Sequence, residues 1–439
     1  MRFELVAAYL AAAAGAAIVL WVLGRRLGAL GLLVLTSPIH RPSLDIGFSL
    51  KAFYVVIAGL IALNLWRASG DPFRLRLNTF ARLALLFLAA VVVSLLINGA
   101  SSASVRHVVV FALVFAGCYL VLTRLRAPGD VLRVINAYLV TGLFLGLTGL
   151  IFYALWFVAP GLYVPGSFFD AVTYNPDQPW TLPLLQGVDI GSNGYALNLL
   201  PFMFVALGVA ANSDSRRQRW LGSVVSALLL LNLVLTGSRG GALAFLGAVL
   251  VWAFTLPGRT RLKVALAAIL LALTPLAPRA VDLYRQYSFL KGSYSGEDAA
   301  LLSNRDQLAA ATLKVFKQSP VFGVGEGNVS EGQYVGKQAH NSYLELLAEN
   351  GIVGFTLYAA TIAWLGWYLR RHRAAFRARD AYAVCHMFGC GYVALLLAIV
   401  PTSALTIPLI WIQPTVLIGL VGIYRGLPAP AKATLQATV

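Results

Sequence analysis

The chain has 439 residues, of which 59% are hydrophobic and only 12% charged, and its mean hydropathy is +0.77. A soluble protein cannot bury that much apolar surface, so a soluble globular fold is excluded. The formal net charge of +17 points to no nucleic-acid partner, because the basic residues sit in short loops between apolar runs, as the positive-inside rule expects.

The apolar runs are about 17–25 residues long and show no strand alternation, so helices and not a barrel span the bilayer. Met1-Arg2-Phe3-Glu4 and the alanine-rich run after it have the look of a signal peptide, but the many later spans favour an uncleaved first helix. Residues 5–39 hold one or two spans, interrupted by Arg25-Arg26. Further spans are predicted at 45–66, 80–98, 105–123, 132–159, 191–211, 220–237, 239–256, 263–279, 351–370, 381–403 and 405–424. The fold class is therefore all-α and polytopic, with about twelve transmembrane helices. Cys118, Cys385 and Cys390 fall inside apolar segments, where an odd number of thiols predicts no structural disulfide.

Loop charges set the sidedness. The loops 67–82, 124–133, 212–219, 257–263 and 370–380 are rich in arginine and alternate with the spans, which places them in the cytoplasm. Segment 160–190 lies opposite them. It carries Asp170, Asp177 and Asp189, no Lys or Arg, and five prolines, so it reads as an irregular outer loop. The second outer segment, from about Arg279 to His340, is long and basic. The apolar spacing of Leu301, Leu302, Leu308, Leu313, Val315 and Phe316 predicts a helix over 301–318 and hence a small structured cap.

Three outer positions could carry chemistry. The first is His340, in a polar island that runs from Gln338 to Gly351 where the outer loop returns to the membrane. Ser342-Tyr343-Leu344-Glu345 has capping-box spacing, so a helix starts near Ser342 with His340 just ahead of its positive end. That end disfavours an imidazolium and favours a ring able to accept a proton. A histidine that merely caps the helix is the alternative. The second is Arg239, in the tight turn Thr236-Gly237-Ser238-Arg239-Gly240-Gly241, whose guanidinium fork matches a phosphate. An arginine snorkelling to lipid phosphates would look the same. The third is Arg305, in Ser303-Asn304-Arg305-Asp306-Gln307; a salt bridge with Asp306 or Asp298 is the alternative.

The run Pro320-Val321-Phe322-Gly323-Val324-Gly325-Glu326-Gly327-Asn328 lacks the strand-then-helix context of a dinucleotide site. It reads as a flexible turn, with an anion-binding nest as the alternative. No outer loop carries an Asp-x-Asp pair, a His-x-x-x-His or a cysteine cluster, so neither a metal nor a cofactor is called for.

Ser238-Arg239-Gly240-Gly241, then Arg305, then Pro320-x-x-Gly323-x-Gly325, then His340-Asn341-x-Tyr343-Leu344 with Glu349-x-Gly351 resemble, in that order, the O-antigen ligase and polymerase superfamily. The likeness covers roughly residues 190–370. It implies a glycosyltransferase of the Gram-negative bacterial inner membrane, similar to the lipid-linked-sugar (GT-C-like) class, with its site facing the periplasm. The donor it implies is a glycan on undecaprenyl pyrophosphate, and the ligase acceptor is a sugar of lipid A-core. The family's essential groups would fall on Arg239, Arg305 and His340. His340 would then act as general base in an inverting, metal-independent transfer, with the arginines and Ser238 at the pyrophosphate. Asn193, Asn341, Tyr343 and Glu345 would support them, with Asn193 matching only loosely. Ligases, polymerases and protein O-glycosyltransferases share these motifs, so the acceptor stays open. The expected organisation is membrane helices over 1–279, a periplasmic loop with the catalytic element over 280–350, and membrane helices with a cytoplasmic tail over 351–439. A solute transporter would instead need polar groups near mid-membrane and paired broken helices, whereas here they gather at one face.

Overall fold

The computed structural model describes residues 28–40, 43–45, 49–67, 78–99, 101–159, 171–173, 183–189, 191–254, 305–331, 334–336, 338–377 and 381–426. The expected span at 263–279 and most of 5–39 lie outside these residues.

After a short helical segment at 28–36, the helices are α1 (Ala52–Arg67), α2 (Thr79–Asn98), α3 (Ser102–Arg124), α4 (Pro128–Val158), α5 (Ser192–Asn212), α6 (Arg216–Leu235) and α7 (Arg239–Ala253). They continue as α8 (Arg305–Gln318), α9 (Asn328–Glu331), α10 (Ser342–Arg377), α11 (Ala381–Ala398) and α12 (Pro408–Gly426). Two antiparallel strand pairs complete the list: β1 (Ser43–Asp45) with β2 (Ser49–Lys51), and β3 (Val172–Thr173) with β4 (Leu184–Leu185). Seven of the described helices are long and apolar enough to cross a membrane, and three shorter apolar helices accompany them. The fold is an all-α membrane bundle. The strand alternation that a barrel needs is absent from its apolar runs.

Two helices form the interior. α5 packs against α6 and α11, and α12 packs against α3 and α11. Polar groups join neighbours where hydrocarbon offers no partner. Tyr138 of α4 donates to Gln413 of α12, whose Nε2 donates to the Phe388 carbonyl of α11 at 3.0 Å. Asn232 of α6 donates to the Gly146 carbonyl of α4 at 3.0 Å, beside Tyr195 of α5. An aromatic cluster of Phe87, Phe111, Phe115, Tyr358 and Trp411 ties α2, α3, α10 and α12 together. Leu96, Val158 and Phe254 point outward, as lipid-facing side chains do.

α10 is two helices in one. Gly351 has φ 63° and breaks the regular run. The segment 342–350 leads in, and the apolar crossing follows the break. The glycine-rich run 320–325, expected to be a flexible turn, closes on this break as an ordered strap. The Val324 N–H donates to the Ala348 carbonyl at 3.0 Å and the Gly325 N–H to that of Glu349 at 2.9 Å. In return the Ile352 and Val353 N–H groups donate to the carbonyls of Pro320 and Val321, at 2.9 and 3.2 Å. The strap thus takes up backbone groups that a helix break leaves orphaned. A Cβ on Gly323 would strike the backbone of Glu349, and one on Gly351 the backbone of Val321. Both glycines also sit at positive φ.

Candidate active site

The described residues of five connecting segments gather at one end of the bundle: 98–99 with 101–104, 184–189 with 191, 236–240, 319–331 with 334–336 and 338–342, and 399–407. Every sequence-predicted site residue whose side chain is described lies among them or within the first turn of the helix that follows.

Asn341, and not Ser342, caps α10. Its Oδ1 accepts the N–H groups of Tyr343 at 3.0 Å and Leu344 at 3.1 Å. The cap therefore shifts by one residue and the expected box does not form, because the residue three places after Asn341 is Leu344, which has no side-chain acceptor. Glu345 reaches further back, accepting the Ala339 N–H at 2.7 Å. Ser342 is released to a tertiary role: its hydroxyl donates to the Thr402 carbonyl at 2.6 Å and accepts the Ala404 N–H at 2.8 Å. The Ser403 hydroxyl donates to Glu345 at 2.5 Å, and the Tyr343 hydroxyl to the Leu396 carbonyl at 3.0 Å. Between these anchors His340 is half-buried, with φ 51°. It is the only non-glycine residue at positive φ among the described residues. A histidine in that region costs strain that its surroundings must hold, a pattern common at functional sites.

The Arg239 turn is built from a different set of bonds. Ser238 caps α7, accepting the Gly241 N–H at 3.1 Å and donating to Asn193 of α5 at 2.7 Å. Thr236 and Ser238 are buried, while Arg239, the first residue of α7, is exposed. Asn193 thus contributes by fixing the cap beside the arginine. Arg305 is the first residue of α8, which packs against α10 and shares a small core of Val315, Val324, Val329 and Ala348 with the strap and α9.

The residues that sequence reasoning missed are those bridging these turns. Pro401 packs on the first turn of α7, so close that a Cβ on Gly240 would lie 2.6 Å from its Cγ. The next residues of the same loop hold Ser342 and Glu345. The Arg239 and His340 turns therefore flank one loop, 399–404. Beside Glu345 opens a polar cavity of about 100 Å³, lined by His107, Glu326, Gln338, Glu349 and Ser403 among others. Its carboxylates are partnered, as burial requires. Glu326 accepts from Asn350 and from His107 Nδ1, the latter at 3.3 Å, and Glu349 accepts the Val329 N–H at 3.1 Å. His107 lies within the predicted span 105–123. A larger apolar groove of about 270 Å³ lies between α2 and α3, but its lining is hydrocarbon and aromatic and offers no glycan chemistry.

A second polar group lies at the same end. His40 Nδ1 donates to Asp189 at 2.9 Å, and Asn198 Nδ2 donates to the other carboxylate oxygen at 2.6 Å. All three are buried, and His40 Nε2 has no hydrogen-bond partner. Burial lowers the His40 pKa. Asp189 opposes that shift, and Lys51 adds to it.

A multi-pass helical bundle with a phosphate-matching arginine and a strained histidine at one end fits an enzyme of membrane-bound substrates. Residues 224–359 match the model of the O-antigen ligase family. The match includes the Arg239 turn, α8, the glycine strap and the His340 element. The match supports a function of the O-antigen ligase or polymerase type. No curated protein matches the chain.

Proposed function

We propose that the protein is an O-antigen ligase, which moves a glycan from undecaprenyl pyrophosphate to a sugar hydroxyl of lipid A-core at the periplasmic face of a Gram-negative inner membrane. The observation that carries this reading is the loop 399–404, which holds the Arg239 and His340 turns on its two sides. His340 accepts the proton of the acceptor hydroxyl as that oxygen bonds the anomeric carbon. The bond from that carbon to the pyrophosphate breaks on the opposite face, so the configuration inverts. Arg239 and Arg305 stabilise the charge that grows on the departing pyrophosphate. Pyrophosphate is a good leaving group, so no general acid is required.

Reconstitution with lipid-linked O-antigen and rough lipopolysaccharide, in chelator, tests the proposal. A core band shifted to a capped form supports a metal-independent ligase. Longer glycan on the carrier with no capped core makes it a polymerase, and no glycan product with solute flux makes it a transporter.

A further inference from the structure

We propose that loop 399–404 is a positioning element that sets the separation between the Arg239 turn and the His340 turn, meeting the first through Pro401 and the second through Ile399, Thr402, Ser403 and Ala404. The functional consequence rests on the reading of Arg239 and His340 given above; the geometric claim stands without it.

The loop leaves α11 and enters α12 after a short turn, and it faces both halves of the site at once. On one side Pro401 Cγ meets Gly240, the residue after Arg239, where no side chain intervenes. On the other, the carbonyls of Ile399 and Thr402 accept the Ser342 N–H at 3.1 and 3.2 Å. The Ser342 hydroxyl adds two further bonds to Thr402 and Ala404, and Ser403 binds Glu345, whose carboxylate also holds Ala339 beside His340. Proline fixes its own φ and is a stiff spacer. A transferring enzyme needs its base and its leaving-group cation on opposite faces of one anomeric carbon. Displacement of one by about an ångström can cost as much as roughly 10²-fold in rate. The loop touches both turns directly.

Gly240→Ala tests this by lengthening the spacer. Alanine is the better helix former, so α7 itself is not weakened. We expect kcat to fall by roughly 10- to 10²-fold with the KM for lipid-linked donor nearly unchanged. Pro401→Ala removes the Cγ that the new methyl meets and leaves its Cβ at 3.4 Å, so Gly240→Ala/Pro401→Ala should recover most of the rate. Spin labels at the exposed Leu243 and Gln338 report the spacing without substrate. Their distance should change in Gly240→Ala and return in the double variant. An unchanged label distance in Gly240→Ala, or one that Pro401→Ala fails to restore, overturns the spacing claim. A restored distance without restored kcat overturns its role in transfer. Should Gly240→Ala fail to fold, Pro401→Ala alone must broaden the label distance, and an unbroadened distance overturns the proposal. If the wild-type protein transfers no glycan while the label distances behave as expected, the functional reading fails and the spacer stands.

Discussion

The two turns at the site solve different problems with the same end of the bundle. The Arg239 turn is lighter: a serine cap, Thr236 and Asn193 bonded to that serine, Pro401 packed on its helical side and an exposed arginine. The His340 turn is anchored through Asn341, Ser342, Tyr343 and Glu345 to α11, to loop 399–404 and to its own helix, and it holds a backbone angle that few residues adopt. The difference follows from side-chain reach. An arginine has a long stem and a delocalised charge, so it finds a pyrophosphate from an approximate backbone position. An imidazole on a single methylene must be placed within hydrogen-bond distance of the proton it takes, so its backbone does the placing.

The comparison breaks first at His340 itself. His340→Asn keeps a residue that tolerates positive φ and removes the base, so transfer should drop by about 10²–10⁴-fold with donor binding retained. An active variant of normal stability would remove His340 from the chemistry. Arg239→Ala should weaken donor binding by roughly 10- to 10²-fold, in line with about 1.5–3 kcal/mol for a charge-assisted hydrogen bond. Because Arg239 is exposed, the thermal midpoint should not move; a large fall in stability with intact donor affinity would make the arginine structural.

Gly351→Ala attacks the support beneath His340. It forces a Cβ into a backbone region that only glycine adopts readily, at roughly 1–3 kcal/mol, and drives it into the Val321 backbone. The measurement is thermal unfolding in detergent, where we expect a clear loss of midpoint. A normal midpoint would mean that the strap between 320 and 325 bears little load.

Much of this was legible because helices announce themselves locally. The hydropathy runs predict most crossing helices to within a few residues, and the start of α7 at Arg239 and of α10 at Ser342 follow from turn and cap chemistry. What the sequence hid was pairing at a distance. Nothing local in Pro320–Gly325 says that it closes on Gly351, and Pro401 reads as a gap between two spans until its contact with Gly240 is seen. Asn341 took the cap that Ser342 was expected to provide because Ser342 had a partner sixty residues away. His107 and Glu326 lie 219 positions apart, and His40 and Asp189 lie 149 apart, so periodicity could not bring either pair together.

Asn341→Ala is a finer test of the anchored turn. It removes the cap of α10 and should cost about 1 kcal/mol of stability, with a fall in kcat and little change in donor KM. Equal loss of donor affinity would place the cap's effect beyond the histidine.

The smallest effect concerns His40, which shares the site's end of the bundle but sits behind it. Burial lowers its pKa in the folded state, and Asp189 only partly opposes that. The unfolded chain should take up its proton near the ordinary value of about 6.5. Proton uptake then favours the unfolded chain, so stability is full above that pH and declines as pH falls through the lowered folded value. His40→Gln removes the titration, so its thermal midpoint between about pH 6.5 and 5 should fall less than that of the wild type. Equal slopes for the two proteins would mean that the fold leaves the proton affinity of His40 unchanged, and a steeper fall in His40→Gln would mean that His40 is protonated beside Asp189 in the folded state.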